Sequence, residues 1–178
     1  MKYNIQNNLL WKDNIMTQGK DKYGKEWIDK LKDYGCLVTA YANINQEHSN
    51  IEFTPLQLNY LIIGHNGYFW LCKDKNNNIN YYGKDIEVKC DNASFLNTKI
   101  LDGILLSESI GWLKSIDYKK EDNVYWIARI TTSFGGHYIN VLYRDKNNNF
   151  VCFDTYSGLV NILSSDKIIY LTKVKFRI

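Results

Sequence analysis

The spacing of apolar residues changes period near the middle of the chain. Leu37, Ala40, Tyr41 and Ile44 fall at i, i+3, i+4 and i+7, one face of a helix that begins at Cys36. The small residues Ala40 and Ala42 suit a helix packed tightly in a core. A second helix is marked at its start by Thr54 as N-cap, Pro55 at the first helical position and Gln57 closing a capping box. Phe53 and Leu58 are placed as a hydrophobic staple, and the helix runs through Leu61-Ile62-Ile63 to Gly64 or Gly67. Upstream, the run Trp27 to Lys32 predicts a short helix ending near Tyr34-Gly35, whereas the first 25 residues show little periodicity. Beyond residue 67 the chain reads as sheet: Tyr68 to Lys73, Ile79 to Gly83, Val124 to Thr131, His137 to Arg144, Phe150 to Tyr156 and Ile168 to Phe176 alternate or are rich in β-branched and aromatic residues. Two clusters, Asn76-Asn77-Asn78 and Asn147-Asn148-Asn149, separate strand-like runs. Asparagine tolerates left-handed backbone, so both predict hairpin tips. Helices first and antiparallel strands after make an α+β pattern rather than alternating βαβ units.

Composition adds few changes to this picture. The 178 residues predict one domain spanning 1–178, large enough to fold without a metal or disulfide. Fourteen tyrosines, five tryptophans and a single proline favour substantial sheet. The net charge of +3 comes with no run of Lys/Arg long enough to form a dedicated patch, so a nucleic-acid partner is not expected. No apolar stretch approaches the ~20 residues of a membrane span. The segment Met1 to Asn7 lacks the apolar core of a secretory signal, so the chain as written is expected in the cytoplasm, or outside the cell if a signal segment has been removed. Cysteines at 36, 72, 90 and 152 and histidines at 48, 65 and 137 show no zinc-site spacing, so no metal or cofactor is expected. Cys72 and Cys152 lie inside apolar runs and read as buried thiols. Trp112 and Trp126 read as core residues, or else as the lining of a groove.

Three residues stand out for chemistry. Cys36 follows a glycine and opens a helix, where the positive end of the helix dipole favours an anion. A thiol so placed, beside an imidazolium, ionises more readily than a free one. The first turn of the helix also leaves backbone N–H groups free to hold an oxyanion. His137 follows Gly135-Gly136 at the start of a strand. Asp154 ends the apolar run Val151-Cys152-Phe153, so the hairpin tipped by Asn147 to Asn149 brings it back toward His137. The two share a face only if the paired residue numbers sum to an odd number, or if a bulge corrects the register. A nucleophile, a base and an acid that orients the base make the constellation of thiol acyl transfer. It predicts the Cys36 sulfur within roughly 4 Å of a His137 ring nitrogen. His48, in a polar segment, and His65, at a helix end, read as structural.

The block Gly35-Cys36-Leu37-Val38-Thr39-Ala40-Tyr41-Ala42-Asn43, with Thr54-Pro55, Leu58-Asn59 and Gly67-Tyr68-Phe69 behind it, resembles the N-terminal half of papain-like peptidases of the double-glycine-leader type. Those enzymes process bacteriocin precursors or occur as stand-alone domains. His137-Tyr138-Ile139-Asn140-Val141-Leu142, with Asp154 and then Ser157-Gly158, is similar to the C-terminal half. The likeness spans about residues 18 to 158, and departs where Thr155 follows the acid in place of the proline common in relatives. It implies a papain-like fold with N-terminal helices packed on a C-terminal antiparallel sheet, and a Cys36–His137–Asp154 triad. It also implies an upstream glutamine in the oxyanion hole, for which Gln18 is the candidate between Trp11 and Cys36. The expected partner is a peptide or protein substrate. Two alternatives use the same residues: acyl transfer to an amine or thiol through the same acyl-enzyme, and a retired peptidase fold that serves as a binding or inhibitory module.

Overall fold

The computed structural model describes residues 2–20, 23–64, 70–73, 79–82, 92–94 and 107–176. In chain order the described elements are strands β1 (Ile15–Lys20) and β2 (Glu26–Lys30), then helices α1 (Leu31–Tyr34), α2 (Cys36–Ser49) and α3 (Pro55–Gly64). Strands β3 (Trp70–Lys73), β4 (Ile79–Tyr82), β5 (Asn92–Ser94), β6 (Ser107–Leu113) and β7 (Val124–Thr132) follow. Then come β8 (Gly135–Arg144), β9 (Phe150–Phe153), β10 (Val160–Leu163) and β11 (Ile168–Phe176). The class is α+β, with one dominant six-stranded antiparallel sheet in the order β10-β9-β8-β7-β11-β6. Among the described residues no helix is long and apolar enough to cross a membrane.

The chain does not begin with helices. The helix expected from Trp27 to Lys32 is mostly strand: β2 pairs with β1 from Lys20↔Glu26 to Ile15↔Lys30, and only Leu31–Tyr34 turns helical. So short a window cannot nucleate a helix by itself, and a cross-strand partner decides its state. The signals around α3 act as their chemistry dictates. Thr54 N–H donates to Gln57 Oε1 at 2.8 Å, and Gln57 N–H donates back to Thr54 Oγ1 at 3.2 Å. Phe53 and Leu58 are both buried in one core. At the tip between β8 and β9, the Asp145 carboxylate accepts from the N–H groups of Asn147 and Asn149, and Asn148 takes φ 64°. The hairpin expected across the first Asn cluster is present as β3 and β4, from Trp70↔Tyr82 to Lys73↔Ile79, while the cluster at 75–78 and Gly67 lie outside the described residues.

Helix α2 is buried from Val38 to Gln46, all round rather than on one stripe. It lies between the sheet and the aperiodic N-terminal segment, and its polar residues bind both. Asn43 Nδ2 donates to Asn140 Oδ1 on β8 at 3.0 Å and to the Asn4 carbonyl at 3.1 Å, and Asn43 Oδ1 accepts from Asn4 N–H at 2.6 Å. Asn4 Nδ2 continues to the Phe53 carbonyl at 2.9 Å, and Asn140 Nδ2 to the Ala40 carbonyl at 2.9 Å. Amide groups, not periodicity, therefore locate the first residues of the chain. Alternate residues of β7 feed two cores: Ile127 joins α2, Leu58 and Phe176, whereas Trp126 and Ala128 join Ile139, Phe150, Cys152 and Leu171 on the other face.

Asn43→Leu tests the network. It strands the Asn4 N–H, the Asn4 carbonyl and the Asn140 amide in a buried site, each at a cost of about 1–3 kcal/mol. The expected loss is about 3 kcal/mol in urea unfolding. A change within experimental error would mean that water replaces the lost partners.

Candidate active site

Cys36 is the first residue of α2 and is half-buried. The junction before it is tight. Gly35 N–H donates to the Leu31 carbonyl at 2.8 Å, and a Cβ at position 35 would lie 2.3 Å from that same oxygen, so glycine is required there. If α1 and α2 were one helix, the Lys32 carbonyl would take the Cys36 N–H. Instead it accepts from Gln6 Nε2 at 2.7 Å, and the hydrogen-bond ladder of α2 restarts with Thr39 N–H on the Gly35 carbonyl. The first-turn N–H groups of α2 are thereby left without intrahelical partners at the head of the helix. Gln6 is 2% exposed, and its own N–H donates to the Thr155 carbonyl at 2.7 Å. One buried glutamine thus straps the cysteine junction to the turn that carries Asp154.

His137 and Asp154 meet because of a bulge. Near the hairpin tip, Arg144 faces Phe150 and Tyr143 faces Val151, an even register. Past the extra residue Leu142, Val141 faces Cys152 and Asn140 faces Phe153, an odd register. Without that insertion Asn140 would face Asp154, and His137 would point to the other side of the sheet. With it, His137 Nε2–H donates to Asp154 Oδ1 at 2.8 Å. The second ring nitrogen, Nδ1, is left for the sulfur, and the Cys36 thiol lies within hydrogen-bonding reach of the ring. The helix and strand that bring them together run in the same direction: Asn140, three residues past His137, is bonded to Ala40, one turn past Cys36. The two sequence conditions, a thiol at a helix head and an odd register, are both met here.

The electrostatics follow from the contacts. Burial of the His137 ring works against its protonation, but its hydrogen bonds with Asp154 and Cys36, together with their charges, outweigh it, and the pKa is pushed up to about 9. Burial of Asp154 opposes its ionisation, yet the bond from His137 and those from Tyr156 and Ser157 hold the carboxyl well below the usual range. Oδ1 accepts from the Tyr156 and Ser157 N–H groups at 2.8 and 3.3 Å. The side chains are 12% and 21% exposed, so the pair is only weakly screened by solvent.

Gln18, the candidate for the oxyanion hole, sits in β1 opposite Ile28. That is three positions from the Ile15↔Lys30 end that adjoins α1, toward the tip of the hairpin; its side chain is outside what is described. His48 is structural. Its ring stacks on Phe176 with centroids 4.0 Å apart, and burial lowers its pKa. His65, Cys90 and the side chain of Cys72 lie outside the described residues. Cys152 is a free thiol at 0% exposure whose pKa burial pushes up to about 12. Trp126 is core at 4% exposed, whereas Trp112 is 48% exposed. Sequence reasoning did not single out Gln6, whose only local signal is a polar residue in an aperiodic stretch. Nor did it single out Asn43, although an asparagine amid apolar helical neighbours marks a buried amide in need of partners.

Comparison of the chain with family models, curated proteins and solved structures returned no match.

Proposed function

We propose that the chain is a papain-like cysteine peptidase that cleaves a peptide or isopeptide bond through Cys36, His137 and Asp154. The observation that carries this reading is the line of contacts from the Cys36 thiol through the His137 ring to the Asp154 carboxylate. A bond of 2.8 Å fixes Nε2–H toward the carboxylate, which leaves Nδ1 as the atom that exchanges a proton with sulfur.

In the reaction, the sulfur, its proton already held on Nδ1, attacks the carbonyl carbon. The oxyanion forms over the head of α2, where the first-turn N–H groups and the helix dipole stabilise negative charge. His137 then gives its proton to the leaving amine, the C–N bond breaks, and an acyl-thioester remains on Cys36. Water enters, loses a proton to His137 and attacks the thioester, which releases the acid and restores the thiol. Asp154 holds the ring in the tautomer that both half-reactions need.

The test is cleavage of a complex peptide library, with new termini identified by mass spectrometry. The wild-type chain is expected to produce them and Cys36→Ala to produce none. Termini that persist in Cys36→Ala would assign the cleavage to something other than this site.

A further inference from the structure

Among the described residues, Arg129 is a cation near the site to which the mechanism gives no work. It lies on β7, directly across from Tyr138 on β8 and from Tyr170 on β11, so the three side chains form a row across neighbouring strands. The guanidinium carbon is 5.8 Å from the Tyr138 ring centroid and 5.6 Å from that of Tyr170, and the two hydroxyls bond each other at 2.6 Å. Trp112 extends the row, with its ring 6.3 Å from Tyr170. The row adjoins Cys36 through Tyr138, whose phenol lies close enough to feel the thiol's charge, and on the same face of β8 the guanidinium lies against Gly136. A Cβ there would be 2.4 Å from Nη2. The adjacent glycines thus have separate causes: Gly135 takes φ 113°, and Gly136 makes room for arginine.

The guanidinium is short of partners. Its Nε is buried with no hydrogen-bond acceptor, and among the described residues no carboxylate pairs with it. Tyrosine faces offer a cation–π attraction, but they accept none of the five N–H bonds in its planar fork. A half-buried cation without a counter-ion is costly to keep, and the group that matches the fork is a carboxylate, taken bidentately. We propose that Arg129 is a specificity residue that binds a carboxylate of the peptide substrate, either an acidic side chain or the free C-terminus, with Tyr138, Tyr170 and Trp112 as the aromatic floor beside it. The proposal rests on the peptidase reading of Cys36, His137 and Asp154.

Binding without chemistry tests it. Three N-acetylated pentapeptides are titrated by calorimetry into Cys36→Ala protein: one with central glutamate and an amidated end, one with glutamine and an amidated end, and one with glutamine and a free carboxylate. One of the two charged peptides is expected to bind about tenfold tighter than the neutral one, and which of them does so identifies the carboxylate. Adding Arg129→Gln is expected to bring the ratio to about one. Arg129→Lys, which keeps charge and bulk and so protects the fold, is expected to lose most of the preference because it lacks the fork. Equal affinities for all three peptides, or a preference that survives both substitutions, overturns the site. Since no nucleophile is present, that result leaves the peptidase chemistry untouched. Conversely, cleavage that persists in Cys36→Ala refutes the chemistry and leaves the carboxylate preference standing.

Discussion

His137→Ala is expected to slow alkylation of Cys36 by iodoacetamide at neutral pH by about a hundredfold or more, the range contributed by a positioned base. In the wild-type chain Cys36 should react far faster than Cys152, and peptide mapping with a time course separates the two. The contrast follows from their surroundings. Cys36 is half-buried at a helix head within reach of a protonated ring, whereas Cys152 is closed inside a core with its pKa pushed up to about 12. A neighbouring imidazolium favours the nucleophilic form of a thiol, and burial among apolar groups disfavours it. Equal rates at the two cysteines, or a Cys36 rate indifferent to His137→Ala, would remove the nucleophile from the proposal and favour a binding module on the same fold.

Asp154→Asn is expected to change both stability and its dependence on pH. The His137 pKa is about 9 in the folded chain against an ordinary 6.5, so the folded state holds this proton more tightly. The stability gained is fully present below about pH 6.5 and is lost as pH rises through about 9. Asp154, held below its ordinary 3.8, contributes above that pH and its contribution is lost as pH falls below it. The two shifts describe one ion pair and are not added. The pair therefore stabilises most between about pH 4 and 6.5. In that window Asp154→Asn should cost about 2–3 kcal/mol by urea unfolding, and the decline between pH 6.5 and 9 should flatten. The alkaline limb of peptide cleavage, which needs the imidazolium to protonate the leaving amine, should move to lower pH in the same variant. A variant that keeps the wild-type decline between pH 6.5 and 9 would show that His137 owes its raised pKa to a group other than Asp154.

The elements with local signals were legible before any coordinates. Thr54, Pro55 and Gln57 form a cap through bonds within a few residues of each other, so their spacing is enough to place the start of α3. The strands β7, β8 and β11 alternate because their residues face different cores, and alternation is written directly in the residue order. Candidate chemistry was legible for the same reason: a thiol after a glycine at a helix start, and an imidazole and a carboxylate at the open end of one hairpin. Residues 2–14 were not legible. Their place is set by bonds to Asn43, Gln46, Phe53 and Thr155, far along the chain, and no local pattern encodes such distant partners. The segment from Glu26 to Lys30 was misread for a related reason, since β1 and not its own propensity makes it a strand.

By itself, then, the order of residues determined the α+β class, the helix that starts at Cys36, and a histidine and an aspartate returning to one end of a hairpin. It left open whether that histidine and aspartate share a face. The bulge at Leu142 decided this, because a single inserted residue reverses every side chain beyond it. It also left open what lies beside the site. Arg129, Tyr138 and Tyr170 are distant in the chain, and the pairing of β7 with both β8 and β11 makes them one row. Local chemistry acts over a few bonds and survives in a linear reading; register and proximity arise only when strands pair and a core closes.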